Sequence, residues 1–355
     1  MNQFVIGVIG RIDERLCDGQ TIKTRVLVEE LKQKYPDAAF RMVETYQYTK
    51  RAYQILKDLL RCMKDSHVVF ILLSRNGMRL MFPLVNFLNF FYKKPIFHDA
   101  IGGTLDRLAA KDPILKAQLK RFDINWVESP SIKTSLENMG VRNVEYLPNF
   151  KRLPILNSDE LLWINHEPFV FCTYSRVNEE KGIGRAAEAV LQINRAMGRK
   201  RVALDVFGPI EGDFGRTLDH YIELSNGAIV YRGVSQFDKS VEVLKDYYAL
   251  LFPTTFFGEG FPGTLIDAFS AGLPVIATDW HCNGEIIRNG HTGYVYPADQ
   301  PECLQQLIEK LISEPEKTLE MRRNCLHEAQ KYSAESVMKV ICERIEMKVS
   351  EKAKV

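Results

Sequence analysis

Short apolar runs without polar interruption alternate along the chain with helix-length segments whose apolar positions fall three and four apart, and nothing else in the sequence constrains the fold as much. In the first half the runs are 4–10, 68–73, 95–97 and 124–127. A strand that is apolar at every position must be covered on both faces, as in a parallel sheet wrapped by helices. A helix is predicted over 20–34, with Ile22, Val26, Leu27 and Leu31 on one face. After Pro148 and Asn149 the chain turns irregular through Lys151, Arg152, Leu153 and Pro154 as far as Pro168, and then the pattern restarts. Strands are expected over 169–174, 202–207, near Ile229, over 249–253 and over 274–278. Helices are expected over 184–197, 241–247 and 264–271, the last stopped by Gly272. A final helix is expected over 334–348, apolar at Val337, Val340, Ile341 and Ile345.

The class that follows is α/β, with two doubly wound Rossmann-like domains facing a central cleft. At about 150 residues per domain, 355 residues suit two. The domains expected are 1–152 and 153–332, with a C-terminal helix over 333–355 returning to the N-terminal domain. A chain 46% hydrophobic and 26% charged is neither disordered, collagenous nor coiled coil. Its seven cysteines are scattered, with no C-x-x-C, which favours a reducing compartment over a disulfide framework or zinc knuckle. The first ten residues run into a strand without a basic stretch or small-residue cleavage site, so no signal peptide is expected.

Charge is unevenly placed. Between Arg41 and Lys94 there are ten Lys/Arg against three Asp/Glu, whereas the whole chain nets only +2. The same window holds the uncharged stretch 80–92, LMFPLVNFLNFFY, with Arg75 and Arg79 before it and Lys93 and Lys94 after. It is short of the about 20 residues that span a bilayer. Two readings remain open: a surface contact with anionic lipid, or a buried helix on the first sheet.

Doubly wound sheets hold ligands beyond the carboxyl ends of their strands, at helix starts. Gly7 and Gly10 form only G-x-x-G inside the first strand, so a dinucleotide fingerprint is missing, and no P-loop is present. Gly19 precedes the first helix and is either a plain loop glycine or part of an anion-facing helix start. The segment 258–278 says more. Three glycines follow the strand at 249–253, and a helix opens near Thr264, so the amides of Gly263, Thr264 and Leu265 are expected to face an anion. Glu259 in the loop and Asp267 in the first turns place two carboxylates beside that anion site. Carboxylates there make sense as grips on neutral hydroxyls, as on a sugar or ribose.

Glu259 and Asp267 in an E-x7-E-like spacing, followed by a helix and A-x-G-x-P-V-I-A, resemble the retaining glycosyltransferases of family four, which have the GT-B fold. The resemblance extends to Tyr174-Ser175-Arg176, to Glu180-Lys181-Gly182, to Val127-Glu128-Ser129 through Gly140-Val141 and Pro148-Asn149, to Phe207-Gly208, and to Arg232-Gly233-Val234. The spelling E-G-F-P-G-T-x-x-D is similar to that of enzymes building bacterial capsular, exopolysaccharide and O-antigen chains. By that resemblance Arg176 and Lys181 clamp a donor diphosphate, Glu259 accepts hydrogen bonds from the donor sugar, Asp267 from the ribose, and Gly233 and Val234 present backbone to the base. The implied activity is metal-independent, cofactor-free transfer from a nucleotide-diphosphate sugar to a glycan, carried on a lipid at the inner face of a bacterial plasma membrane. The implied mechanism has the donor phosphate taking the acceptor proton on the same face.

The chain departs from the family at Asp267, one methylene shorter than glutamate, and at Gly19, where many relatives have two glycines. His98 is expected at a strand end beside the sugar, or as a satisfied core histidine; Asp99 reads as a site residue or an N-cap. Glu285 reads as a site residue or a helix-start carboxylate. No D-x-D pair for a diphosphate-bridging metal occurs, and nucleic acid is not an expected partner. Rival functions are a nucleotide-sugar epimerase on the same fold and a non-catalytic partner subunit.

Overall fold

The computed structural model describes residues 3–13, 15, 19–47 and 50–353, with backbone alone at 237, 352 and 353. It divides into two compact units, one of residues 1–150 with 334–355 and one of residues 151–333.

The first unit is a parallel six-stranded sheet of β1 (Val5–Gly10), β2 (Ala39–Glu44), β3 (Val68–Leu72), β4 (Ile96–Asp99), β5 (Ile124–Val127) and β6 (Val144–Tyr146), ordered β2-β1-β3-β4-β5-β6. The helices between these strands are α1 (Gly19–Lys34), α2 (Ala52–Asp65), α3 (Arg75–Tyr92), α4 (Leu105–Lys111), α5 (Pro113–Leu119) and α6 (Pro130–Asn138). Successive strand residues point to opposite faces. Val69 and Ile71 therefore join the core under α2 and α3, while Val68, Phe70 and Leu72 join the one under α1. Into this second core pack Val337, Met338, Ile341 and Ile345 of the terminal helix, Ala334–Ala353.

The second unit is another parallel six-stranded sheet, of β7 (Phe169–Tyr174), β8 (Val202–Phe207), β9 (Ile229–Gly233), β10 (Leu250–Phe252), β11 (Val275–Thr278) and β12 (Gly293–Tyr296). Its order is β12-β11-β10-β7-β8-β9, the dinucleotide-type winding in which β7 and β10 flank the point where the order reverses. Its helices are α7 (Ile183–Met197), α8 (Phe214–Leu224), α9 (Ser240–Leu244), α10 (Gly263–Ser270), α11 (Asn283–Ile286), α12 (Glu302–Ser313) and α13 (Pro315–Ala329). Phe171, Leu204, Val206 and Leu251 fill one face of the sheet, and Cys172, Leu250, Phe252 and Val275 the other.

Three elements differ from the sequence reading in ways that matter. The strand expected over 95–97 runs on to Asp99, so His98 lies inside β4 and not beyond it. The segment 80–92 belongs to a longer helix with two unlike faces: Met78, Met81, Phe82 and Val85 are core, whereas Leu80, Leu84, Phe87, Phe90 and Phe91 are exposed. Strand β2 escaped notice because it is a half-exposed edge strand carrying Arg41, which interrupts the apolar run. Among the described residues no helix is long and apolar enough to cross a membrane.

Candidate active site

The site is built where β7 and β10 end side by side. After Tyr174 the chain passes Arg176 and Asn178, and the Asn178 Oδ1 accepts the Lys181 N–H at 2.9 Å, capping a short helical turn that ends at Gly182. Gly182 adopts φ +74°, and a Cβ there would overlap the Pro253 carbonyl at the end of β10. Gly208 has φ +131° at the end of β8, where a Cβ would overlap the Ser175 carbonyl. Only glycine lets these strand ends approach so closely. The Thr255 N–H donates to the Glu180 carbonyl at 2.7 Å, so the two segments are tied by backbone as well.

Lys181 and Glu259 meet as a result. The Lys181 ammonium lies 2.6 Å from Glu259 Oε2, both side chains nearly buried, and the Thr254 hydroxyl donates to the same oxygen at 3.0 Å. The Phe256 ring lies under both expected cations, 4.9 Å from Lys181 Nζ and 5.0 Å from the Arg176 guanidinium carbon. Arg176 also reaches Glu211 at 3.2 Å in a pair that is largely solvent-facing. Such a pair is worth at most about 1 kcal/mol, so the guanidinium can turn to an anionic ligand at small cost. The loop carrying Glu259 is held from outside: Trp280 Nε1 donates to the Phe256 carbonyl at 2.8 Å, and the Cys282 thiol to the Gly260 carbonyl at 2.7 Å.

Helix α10 starts beside this pair. The Thr264 hydroxyl donates to the Tyr174 carbonyl, locking the helix start to the end of β7. Gly263 and Thr264 lie in the first turn, whose N–H groups have no preceding helical carbonyl. The Leu265 N–H is different: it closes a turn on the Pro262 carbonyl at 3.0 Å, and Leu265 itself is core. Of the three amides expected to face an anion, Leu265 is therefore already engaged. Gly233 ends β9 at φ +77°, its carbonyl accepting the Gly208 N–H at 2.8 Å, and Val234 beyond it is exposed.

Asp267 stands apart from the sugar-gripping pattern. It is buried, with Oδ2 2.6 Å from Lys151 Nζ and Oδ1 accepting from the Ser240 hydroxyl at 2.8 Å. Both partners escaped the sequence reading, since neither sits near Asp267 in the chain. Asn178 was findable, as an asparagine directly before a polar turn is a cap signal.

In the first unit, the structure corrects the expectation for His98. It is fully buried, its Nδ1 2.9 Å from Asn125 Oδ1, with its ring packed against the Phe82 and Phe122 rings at 4.9 and 5.9 Å. Burial lowers its pKa to about 4. His98 is a core histidine, placed there because β4 extends through it. Asp99 is neither an N-cap nor open to ligand: it pairs with Lys23 at 2.7 Å, and Lys23 also reaches Glu128 at 2.8 Å, all three side chains buried. Burial pushes Asp99 up to about 6 despite that cation. Gly19 opens α1, where a Cβ would meet open space, so its backbone does not demand glycine for room. Glu285 is exposed on the four-residue α11. Among the described residues no three His, Cys, Asp or Glu side chains cluster as metal ligands would.

Residues 158–332 match the family described as glycosyl transferases group 1. The match covers just under half of the chain and falls within the second unit. Relatives of the chain include the UDP-N-acetylglucosamine–peptide N-acetylglucosaminyltransferase GtfA subunit of Streptococcus agalactiae, 32% identical over 146 residues, or 41% of this chain and 28% of that protein. Across the first three curated relatives the chain spans between 28% and 54% of their length. Among solved structures, Anabaena HepE in complex with UDP superposes with a TM-score of 0.76 at 14% identity, over 97% of this chain and all of that one. The lipopolysaccharide outer core galactosyltransferase WaaB superposes with a TM-score of 0.70 at 16% identity, over 97% and 100%. Two parallel six-stranded sheets with this likeness are the GT-B fold.

Proposed function

We propose that the chain is a retaining, metal-independent glycosyltransferase that uses a nucleotide-diphosphate sugar. The observation that carries this reading is the Lys181–Glu259 pair at the reversal point of the second sheet, beside the start of α10 and under the reach of Arg176. A cation and a carboxylate locked 2.6 Å apart hold a donor at two points: the ammonium on the diphosphate, the carboxylate on the hydroxyls of the attached sugar. Arg176 and the first amides of α10 add positive potential where the diphosphate gathers charge as it leaves. The acceptor hydroxyl then attacks the anomeric carbon from the face the diphosphate leaves, and its proton passes to the departing phosphate oxygen. Gly233 and Val234 are read as the backbone beside the base. Asp267 acts on the ribose indirectly, by fixing Lys151 and Ser240.

The acceptor is read as a glycan on a lipid carrier, bound by the first unit at the cytoplasmic face of a bacterial membrane, in surface polysaccharide synthesis. Support comes from the sequence spelling of the 258–267 segment, from the likeness to a lipopolysaccharide galactosyltransferase, and from the apolar face of α3. The test is nucleotide release from a panel of nucleotide sugars with and without glycan acceptors. Acceptor-dependent release of nucleoside diphosphate is expected. Release with water alone would point to an epimerase, and binding with no turnover on any acceptor to a partner subunit.

A further inference from the structure

The helices α2 and α3 pack side by side over the first sheet, and their outward surface is unlike the rest of the unit. On α3, Phe87, Phe90 and Phe91 are 64%, 76% and 63% exposed, and the rings touch one another, with centroids 5.5 and 5.3 Å apart. Leu84 and Leu80 continue the stripe one and two turns back. On α2, Tyr53, Leu56 and Leu60 are exposed and follow one another at helical spacing. Both helices connect parallel strands and so run the same way, which makes the two stripes one surface.

Charge on that surface is predominantly positive. Lys57, Arg61 and Lys64 are exposed along the outward face of α2. Asp58 is held by the Gln54 amide and Asp65 by Arg41, while α3 carries no acidic residue. At the end of α3, Asn89 bonds both the N–H and the carbonyl of Lys94, at 2.6 and 3.0 Å, which fixes Lys93 and Lys94 beside the aromatic cluster. Phenyl rings ringed by lysine and arginine, with Asp58 and Asp65 only half-exposed among them, are complementary to a surface that is apolar within and anionic at its rim.

The geometry points to an anionic lipid bilayer as the partner of the α2–α3 surface, with Phe87, Phe90 and Phe91 seated below the headgroups and Lys57, Arg61, Lys93 and Lys94 among them. This rests on the lipid-linked acceptor reading for its purpose, and it adds the surface that brings the chain to such an acceptor. The core face of the same helix, through Met81, Phe82 and Val85, stays on the sheet, so docking requires no unfolding.

The test is co-sedimentation of the full chain with phosphatidylcholine vesicles that contain or lack phosphatidylglycerol. Binding is expected only with the anionic lipid and is expected to weaken with salt. Lys57→Glu with Arg61→Glu should lower partitioning by roughly tenfold or more. Phe87→Ser, Phe90→Ser and Phe91→Ser together should abolish it. These positions are exposed, and an unchanged melting temperature and nucleotide affinity certify each variant. Absence of sedimentation with anionic vesicles at low salt overturns the proposal, as does binding that ignores both sets of variants. A chain that is dimeric, and becomes monomeric in the triple serine variant with vesicle binding intact, also overturns it, since the patch is then a subunit contact. Vesicle binding without affinity for any nucleotide diphosphate would instead sink the transferase reading and leave this one standing.

Discussion

The ammonium of Lys181 sits 2.6 Å from a carboxylate oxygen of Glu259, 78 residues further along the chain, with both side chains almost out of solvent. A buried pair of this kind adds little net stability, but losing one partner strands the other charge, at a cost of about 3–5 kcal/mol. Glu259→Gln should therefore cut turnover more than tenfold, about 1.4 kcal/mol in transition-state stabilisation, while free nucleoside diphosphate still binds. Lys181→Met alone should lower the melting temperature. The double variant Lys181→Met with Glu259→Gln should recover most of the stability and none of the turnover, which calorimetry and single-turnover rates would show together.

Asp267 is engaged at both oxygens, by Lys151 and by Ser240. Asp267→Asn should weaken nucleotide binding and also destabilise the fold by about 1–3 kcal/mol, read as a lower melting temperature, because Lys151 loses this counter-charge. Asp267→Asn combined with Lys151→Met should regain stability. A single variant with unchanged melting and lost affinity would mean that Asp267 touches the nucleotide directly.

Gly182 and Gly198 both have positive φ, +74° and +62°, yet their surroundings differ. Around Gly198 a Cβ meets nothing within 4 Å, so Gly198→Ala should cost about 1 kcal/mol, the price of a left-handed alanine. At Gly182 a Cβ would drive into the Pro253 carbonyl. Gly182→Ala should separate the ends of β7 and β10, abolish nucleotide binding and leave little soluble protein. Equal melting temperatures for the two variants would contradict this account.

His98 is held neutral, its pKa lowered to about 4 by burial from an ordinary 6.5. Below 6.5 the unfolded chain takes a proton that the folded one refuses, so this residue's share of stability is lost as pH falls from 6.5 toward 4. Asp99, raised to about 6, works in the opposite sense from 3.8 to 6, where the folded chain holds the extra proton. The comparison of the chain with His98→Phe isolates the histidine. The variant should lose less stability on acidification, by on the order of 3 kcal/mol, and retain nucleotide affinity. A collapse of turnover in a stable His98→Phe protein would restore the histidine to the chemistry.

Cationic side chains and a helix start carry the charge of the leaving diphosphate in the proposed reaction, so activity should survive excess EDTA. Abolition by chelator with rescue by manganese would show that a metal takes that part.

The doubly wound class was legible because a strand covered on both faces needs apolar residues at every position, and that requirement is written locally, as at 68–72 and 169–174. Arg176 and Lys181 entered through the family resemblance of Tyr174-Ser175-Arg176 and Glu180-Lys181-Gly182, and what local sequence adds for them and for Glu259 is their place on loops after strands, at the sheet edge. What pairs with what was decided elsewhere. Lys151 and Asp267 are 116 residues apart, and they meet only because the folded second unit lays the segment after residue 150 against the start of α10. His98 looked like a loop-side group until β4 extended past it and Asn125 on the neighbouring strand supplied its hydrogen bond. The apolar stretch 80–92 could not say which of its side chains were core, since composition is blind to helix phase. The sheet beneath α3 chose Met81, Phe82 and Val85 for burial and left Phe87, Phe90 and Phe91 outside.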